Sequence, residues 1–227
     1  DAVVVAVGCY VQAGKDEALK DEGIDLAVGN NRKKDLAAIL EEYLSGRQER
    51  IEKGECGRAL QKAAIIDISQ TAEYEDMKIG SAAEHTRAFV KVQDGCNQFC
   101  SYCIIPHVRG RIRSRELEDA KEEVKRLAGQ GYGEIVLTGI HLSSYGMSGG
   151  NDFSQSRLLE LIRSVAGEAE LPRIRLGSLE PRIITEEFIK GLKDCPGLCP
   201  HFHLSLQSGC DSVLKRMNRK YSAEEYY

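Results

Sequence analysis

Between Ala88 and Gly209 the sequence switches repeatedly from short apolar runs to helical spacing and back, and this alternation restricts the fold more than any other feature. Ala88–Gln93, Glu134–Thr138, Arg173–Gly177 and His203–Leu206 read as strands. Leu117, Ala120, Val124 and Leu127 recur as on one face of a helix, with Ser114 the expected N-cap and acidic residues in the first turn. Leu158, Leu159, Ile162 and Val165 mark a second helix, after a Gly/Ser-rich loop at Ser143–Gly150, and further helices are expected from Thr185 and after Gly209. Each crossover helix returns the chain in its original direction, so repeated strand–helix units build a parallel sheet. Four such units without a closing element predict an α/β fold, a truncated barrel of the TIM type, with its chemistry at the C-terminal strand ends.

A smaller α/β piece precedes it. Residues 2–7 are continuously apolar up to Gly8-Cys9, as a buried parallel strand would be. A helix through Ala18 and Leu19, a strand over Ile24–Val28, and a helix carrying Leu36, Ile39, Leu40, Tyr43 and Leu44 follow. The charged, turn-rich stretch from Ser45 to about Gly57 reads as a linker. The expected division is 1–47 for the first piece, 48–84 for a linker and mixed segment, and 85–227 for the barrel. The chain opens at Asp1 inside an apolar run and stops at Tyr227 just after a helix-like start, the pattern expected of a piece cut at both ends. No stretch approaches the roughly 20 apolar residues that span a membrane, and no signal segment opens the chain, so no membrane partner and a cytoplasmic location are expected. The net charge of −4 gives no global attraction to nucleic acid. One local basic run exists, with Arg109, Arg111, Arg113 and Arg115 on alternate residues, which share a face if the segment is extended.

Eight cysteines without a secretory signal point to metal or redox chemistry rather than disulfides. Only Cys96, Cys100 and Cys103 have ligand-like spacing, C-x3-C-x2-C. Thiolates suit iron–sulfur clusters and zinc. Three of them leave one iron of a four-iron cluster without a protein ligand, whereas structural zinc wants four closed ligands. His107 keeps a Cys3His zinc site open, and with it a zinc-stabilised nucleic-acid-binding module using the arginine run on phosphates. A redox pair of Cys100 and Cys103 leaves Cys96 unexplained. Cys195 and Cys199, flanking Pro196 and Gly197, and Cys210 read as loop or core thiols, and Cys56 lies in the linker.

The residues around the triad go further. Asp94-Gly95-Cys96-Asn97-Gln98-Phe99-Cys100-Ser101-Tyr102-Cys103-Ile104-Ile105-Pro106, then Arg109-Gly110 and Ser114-Arg115, closely resemble the signature of the radical SAM methylthiotransferase family. The likeness runs through Leu137-Thr138-Gly139-Ile140-His141, Ile174-Arg175-Leu176-Gly177-Ser178-Leu179-Glu180-Pro181, His203-Leu204-Ser205-Leu206-Gln207-Ser208-Gly209 and Leu214-Lys215-Arg216-Met217-Asn218-Arg219. Val7-Gly8-Cys9-Tyr10-Val11-Gln12 is similar to the last cysteine motif of that family's N-terminal domain. Leu-Thr-Gly-Ile-His and Leu-Ser-Leu-Gln-Ser-Gly-Cys-Asp are most like the branch acting on tRNA threonylcarbamoyladenosine.

The resemblance implies a radical SAM partial barrel preceded by part of a methylthiotransferase N-terminal domain. It implies conversion of N6-threonylcarbamoyladenosine beside the anticodon to its 2-methylthio derivative; the neighbouring branches act on isopentenyladenosine or a ribosomal protein. Two 4Fe–4S clusters are implied. Cys96, Cys100 and Cys103 would hold the one that cleaves S-adenosylmethionine, and Cys9 would be one of three ligands of the auxiliary cluster. Gly139, Ser178, Glu180 and Gln207 are the expected cofactor contacts. S-adenosylmethionine serves as methyl donor and radical source. The implied partners are tRNA, an electron donor such as a flavodoxin or ferredoxin, and a sulfur source.

Overall fold

The computed structural model describes residues 2–54, 62–77, 86–150, 152–167 and 173–227. Two compact units emerge, Asp1–Met77 with His107–Gly110, and Lys78–Pro106 with Arg111–Tyr227.

The first unit runs β1 (Val5–Val7), α1 (Cys9–Ala13), α2 (Lys15–Ala18), β2 (Leu26–Val28), α3 (Leu36–Glu52) and β3 (Lys62–Ala64). The strands are parallel in the order β1-β2-β3. Alternate side chains of β2 face opposite ways, as a pleated strand requires. Leu26 and Val28 pack with Ile39 and Tyr43 of α3, whereas Ala27 packs with Val11 and Ala18 of α1 and α2. Two expectations change here. α3 continues to Glu52, so the linker expected from Ser45 begins as helix; its charges line the exposed faces of a long helix rather than a loop. Lys62–Ala64, expected within a mixed segment, is the third strand of this sheet. Cys56 lies outside the described residues.

The second unit contains β4 (Arg87–Asp94), most of the chain beyond it, and the first half of α4 (Ile105–Val108). It continues through β5 (Arg113–Ser114), α5 (Leu117–Gly129), β6 (Glu134–Gly139), α6 (Leu158–Ala166) and β7 (Ile174–Leu176), then α7 (Glu186–Lys193), α8 (Asp211–Arg216) and α9 (Ala223–Tyr226). The sheet order is β5-β4-β6-β7. β4, β6 and β7 are parallel, and the two-residue β5 is an antiparallel edge. Val90, Val92, Ile135 and Leu137 of the sheet pack with Val124 and Leu127 of α5 and with Ile162 and Val165 of α6. At the opposite end of the strands from the cysteine loop, Glu134 receives Arg87, Arg173 and Arg175 at 2.7, 3.2 and 2.8 Å, which pins the starts of β4, β6 and β7 together.

Three local expectations are corrected. Ser114 does not cap α5; it belongs to β5 and its Oγ accepts from Gly146 N at 2.8 Å, while Glu116 takes the N-cap position. The Gly/Ser-rich segment begins with a buried turn at Leu142–Ser144 rather than an open loop. The strand expected at His203–Leu206 is reduced to one parallel bridge, Leu179 to Leu204. Leu179 N donates to His203 O at 2.9 Å and Ser205 N to Leu179 O at 3.1 Å, and beyond these two bonds the backbone closes on itself, with Leu206 N donating to Leu204 O at 3.1 Å and Ser208 N to Leu206 O at 2.8 Å, the two-residue spacing of γ-turns. Thr185 does what its position suggested, its Oγ accepting from Phe188 N to cap α7. No helix of the described residues is long and apolar enough to cross a membrane.

Candidate functional site

The cysteine loop leaves the C-terminal end of β4, where the sheet is locally irregular. Lys91 pairs with Thr138 but Gln93 with Gly139, so Val92 is an extra residue, and its carbonyl accepts from Arg115 N instead. A bulge of this kind re-aims the strand end. Gln93 is fully buried. Its Nε2 donates to Asp94 O and Gly95 O at 2.8 and 2.7 Å, and its Oε1 accepts from His141 N at 2.6 Å. One amide thus ties the root of the cysteine loop to the loop after β6. The close approach leaves no room at Gly139, where a Cβ would stand 2.9 Å from both Cβ and Oε1 of Gln93. Gly139→Ala should cost about 1–3 kcal/mol through overpacking and lower the denaturant midpoint; an unchanged midpoint would contradict this packing.

Cys96 is buried, and burial pushes its thiol up to about 11 against the pull of Gln98 N–H, with Cys100 and Cys103 adding to the rise. The loop turns through Gly95 (φ 71°) and Phe99, a non-glycine residue at φ 49°, and Phe99, Tyr102 and Ile104 present apolar side chains to the exterior around the cysteines. Its outer side is held by the chain after α8. Asn218 Nδ2 donates to Phe99 O at 2.8 Å, Ser101 N donates to Met217 O at 3.1 Å, and Arg219 donates from a terminal guanidinium nitrogen to Cys100 Sγ at 3.2 Å. Among the described residues, no group of three or more His, Cys, Asp or Glu side chains is gathered tightly enough to hold a metal ion.

Beside the loop lies a polar group from the ends of β6 and β7. Glu180 is buried; its Oε1 accepts from Arg182 Nε at 2.8 Å and its N–H donates to Ser143 Oγ at 2.9 Å. Arg182 lies 4.8 Å over the Phe153 ring and reaches Gln98 Oε1 at 3.4 Å. Burial, with the positive charges of Arg219 and Arg182, pushes His141 down to about 4, so its ring is neutral at physiological pH. Its Nδ1 lies 2.6 Å from Ser144 Oγ. Glu180 Oε2 and His141 Nε2 are buried without a hydrogen-bond partner. An orphaned buried polar group costs about 1–3 kcal/mol, and a ligand hydroxyl or ammonium donating to Glu180 would remove its share of that cost.

Of the residues singled out from sequence, Gly139 and Glu180 are thus gathered around the cysteine loop through Gln93 and through the Gln98–Arg182 contact. Ser178 is exposed, its Oγ 2.7 Å from His203 Nδ1. Gln207 is exposed with a left-handed backbone at φ 64°. Gln93, Gln98, His141, Arg182, Asn218 and Arg219 are the residues that sequence reasoning misses; their motif positions are visible, but their partners lie far along the chain. The four arginines do not form one basic face. Arg113 and Arg115 are buried against Asp94 and Glu123, and Arg111 lies over Phe99 at 4.8 Å. Cys195 and Cys199 are buried thiols, with Cys195 Sγ donating to Gly191 O at 3.3 Å.

In the first unit, Cys9 follows β1 at the start of α1. Arg109 Nε and Asn30 Nδ2 donate to its sulfur at 3.2 and 3.4 Å, and Asn30 also holds Val108 O at 2.7 Å. Burial pushes the Cys9 thiol up, but the bonds from Asn30 and Arg109 and the charges of Arg109 and Lys33 outweigh it and leave the thiol below its ordinary value. His107 also belongs to this unit.

A family model described as the Radical SAM superfamily matches residues 90–227. The chain is 40% identical, over 99% of its length, to the threonylcarbamoyladenosine tRNA methylthiotransferase MtaB of Aquifex aeolicus (strain VF5), of which it covers 51%. It is 44% identical over 62% of its length to the tRNA-2-methylthio-N(6)-dimethylallyladenosine synthase of Clostridium tetani (strain Massachusetts / E88), of which it covers 30%. The chain spans about half the length of the full-coverage relatives it matches. Among solved structures, the cobalamin-dependent S-adenosylmethionine radical enzyme OxsB superposes with a TM-score of 0.53 at 11% identity, over 99% of this chain and 38% of that one.

Proposed function

Since the chain belongs to the radical SAM superfamily, we propose that the protein is a tRNA methylthiotransferase, converting N6-threonylcarbamoyladenosine beside the anticodon to its 2-methylthio derivative. The observation that carries this reading is the seating of Cys96, Cys100 and Cys103 at the C-terminal end of β4, in a chain whose near-full-length likeness is to threonylcarbamoyladenosine tRNA methylthiotransferases. The strand end is where an α/β barrel of this type carries its chemistry.

The donor set fits a 4Fe–4S cluster. All three side chains are free thiols within one short loop after β4, which supports their sharing one cluster. A four-iron cluster presents a separate iron to each thiolate, so its ligands stand farther apart than those of a single ion, consistent with the absence of a tight ion-holding group among the described residues. Zinc is the poorer fit, because structural zinc takes four closed ligands and the loop supplies three thiols. When bound, the cluster with one open iron supplies the electron that splits S-adenosylmethionine.

Around that chemistry the protein's own residues bind and orient. Glu180 offers its unpartnered Oε2 to an ammonium or ribose hydroxyl of S-adenosylmethionine. Gly139 lets the β6 backbone come close, and Ser178 and Gln207 lie on the exposed side for the remaining contacts. His141, neutral, holds a ring nitrogen ready for a ligand group without adding charge. Residues 1–47, with the rest of α3 and the strand β3 that completes their sheet, supply the end of the methylthiotransferase N-terminal domain, and 85–227 supply the barrel. Cys9 is one auxiliary-cluster ligand, its sulfur already receiving two N–H donors. A flavodoxin or ferredoxin as electron donor, and a sulfur source, complete the set, with the cytoplasm as the compartment where tRNA is modified.

Mass spectrometry of tRNA nucleosides from cells lacking the protein tests the substrate. The 2-methylthio group should disappear from threonylcarbamoyladenosine while the unmodified nucleoside accumulates. Loss from the isopentenyl nucleoside instead would establish the substrate of the Clostridium relative, and an unchanged profile would contradict both.

A further inference from the structure

The chain after α8 does more than cover the cysteine loop: it places one charged donor on one of the three sulfurs. Arg219 reaches back across 119 residues of sequence to donate to Cys100 Sγ at 3.2 Å. Its guanidinium is fixed on the other side, with Nε donating to the Tyr221 hydroxyl at 3.2 Å and Cζ lying 5.2 Å from the Tyr221 ring centroid. Tyr221 is itself buried, its hydroxyl 2.5 Å from Ser205 O and 2.9 Å from Leu206 O. Arg219 N–H closes on Leu214 O at 2.9 Å, so the backbone that carries the side chain is anchored to α8. The adjacent Asn218, at φ 58°, grips Phe99 O and Gln98 O.

Resting on the reading that Cys100 ligates the cluster, we propose that Arg219 is a positioning residue that fixes the Cys100 sulfur and raises the cluster's reduction potential through a charge-assisted N–H···S bond. A donor on a ligand sulfur withdraws negative charge, and reduction adds one electron to the cluster. The bond is therefore stronger to the reduced than to the oxidised form, and the potential rises with it. The planar fork suits this role, since one edge of the guanidinium serves the sulfur while Nε stays on Tyr221, which a lysine ammonium cannot reproduce with fixed geometry. In this arrangement Met217–Arg219 couples the loop's backbone, through Asn218 and Met217, to the electronics of its sulfur, through Arg219.

The test is a mediated potentiometric titration of the anaerobically reconstituted protein, with the reduced cluster followed by electron paramagnetic resonance and dithionite as the one-electron reductant. Arg219→Gln should bind iron and sulfide as the wild type does and show a more negative midpoint, with Arg219→Lys recovering part of the shift. An Arg219→Gln protein with full iron content and an unshifted midpoint overturns the proposal. Where Arg219→Gln fails to retain iron, the wild type labelled with nitrogen-15 arginine decides. A weak nitrogen-15 coupling to the reduced cluster, absent from Arg219→Lys, supports the bond; no coupling in the wild type overturns it. A wild-type protein that assembles no cluster at all overturns the parent reading, and this proposal with it.

Discussion

Cys100→Ala should leave the protein folded but unable to retain a four-iron cluster, and formation of 5′-deoxyadenosine from S-adenosylmethionine should fall to the level of protein never loaded with iron. Cys100 is half-buried in a loop, so its removal deletes a thiolate without opening a cavity in the core around Val92, Leu137 and Val165. Cys96→Ala and Cys103→Ala should behave alike, because two thiolates cannot hold the cluster that three hold. Cys195→Ala is the contrast: Cys195 is a core thiol bonded to Gly191 O, and its loss should affect stability while iron content and cleavage persist. Iron and sulfide analysis, the visible absorbance and chromatography of the nucleoside product measure all four. Cleavage surviving in Cys100→Ala would contradict the assignment.

Arg115→Met should be the most destabilising single change in the basic run. Arg115 and Glu123 form an ion pair with both side chains almost fully buried, and removing one partner of such a pair typically costs about 3–5 kcal/mol because the other is left charged in a poorly solvated place. Arg126, half-buried, still reaches Glu123 at 3.3 Å, which argues for the lower part of that range. The expected fall in melting temperature is roughly 6–20 °C. Removing both charges as Arg115→Met with Glu123→Leu should recover much of the loss, since a well-packed apolar pair avoids the desolvation cost. A thermal scan of the single and double variants decides; a single variant that melts with the wild type would contradict the buried pair.

What the sequence disclosed and what it hid divide along the range of the interactions. The three cysteines stand within eight residues of one another, and β4, β6 and β7 each declare themselves by an apolar run, so the loop and the strand end that carries it could be placed from local pattern. The strand expected at His203–Leu206 had the same pattern, but its ladder stops after the two bonds to Leu179, and from Leu204 on the backbone turns on itself. Ser114 looked like a helix cap because serine before an acidic first turn usually is one; here β5 needed it first. Alternation of Arg109 to Arg115 suggested a shared face, yet Asp94 and Glu123, distant in sequence from one another, draw Arg113 and Arg115 inward. The remaining site residues depend on pairings no local rule reaches: Gln93 with His141 across 48 residues, Gln98 with Arg182 across 84, and Arg219 with Cys100 across 119.

The protein is reconstituted anaerobically with iron and sulfide, reduced, and given S-adenosylmethionine. The expected result is a brown protein with broad iron–sulfur absorbance that yields 5′-deoxyadenosine. A colourless protein that takes up zinc through Cys96, Cys100 and Cys103 and leaves S-adenosylmethionine intact would contradict it.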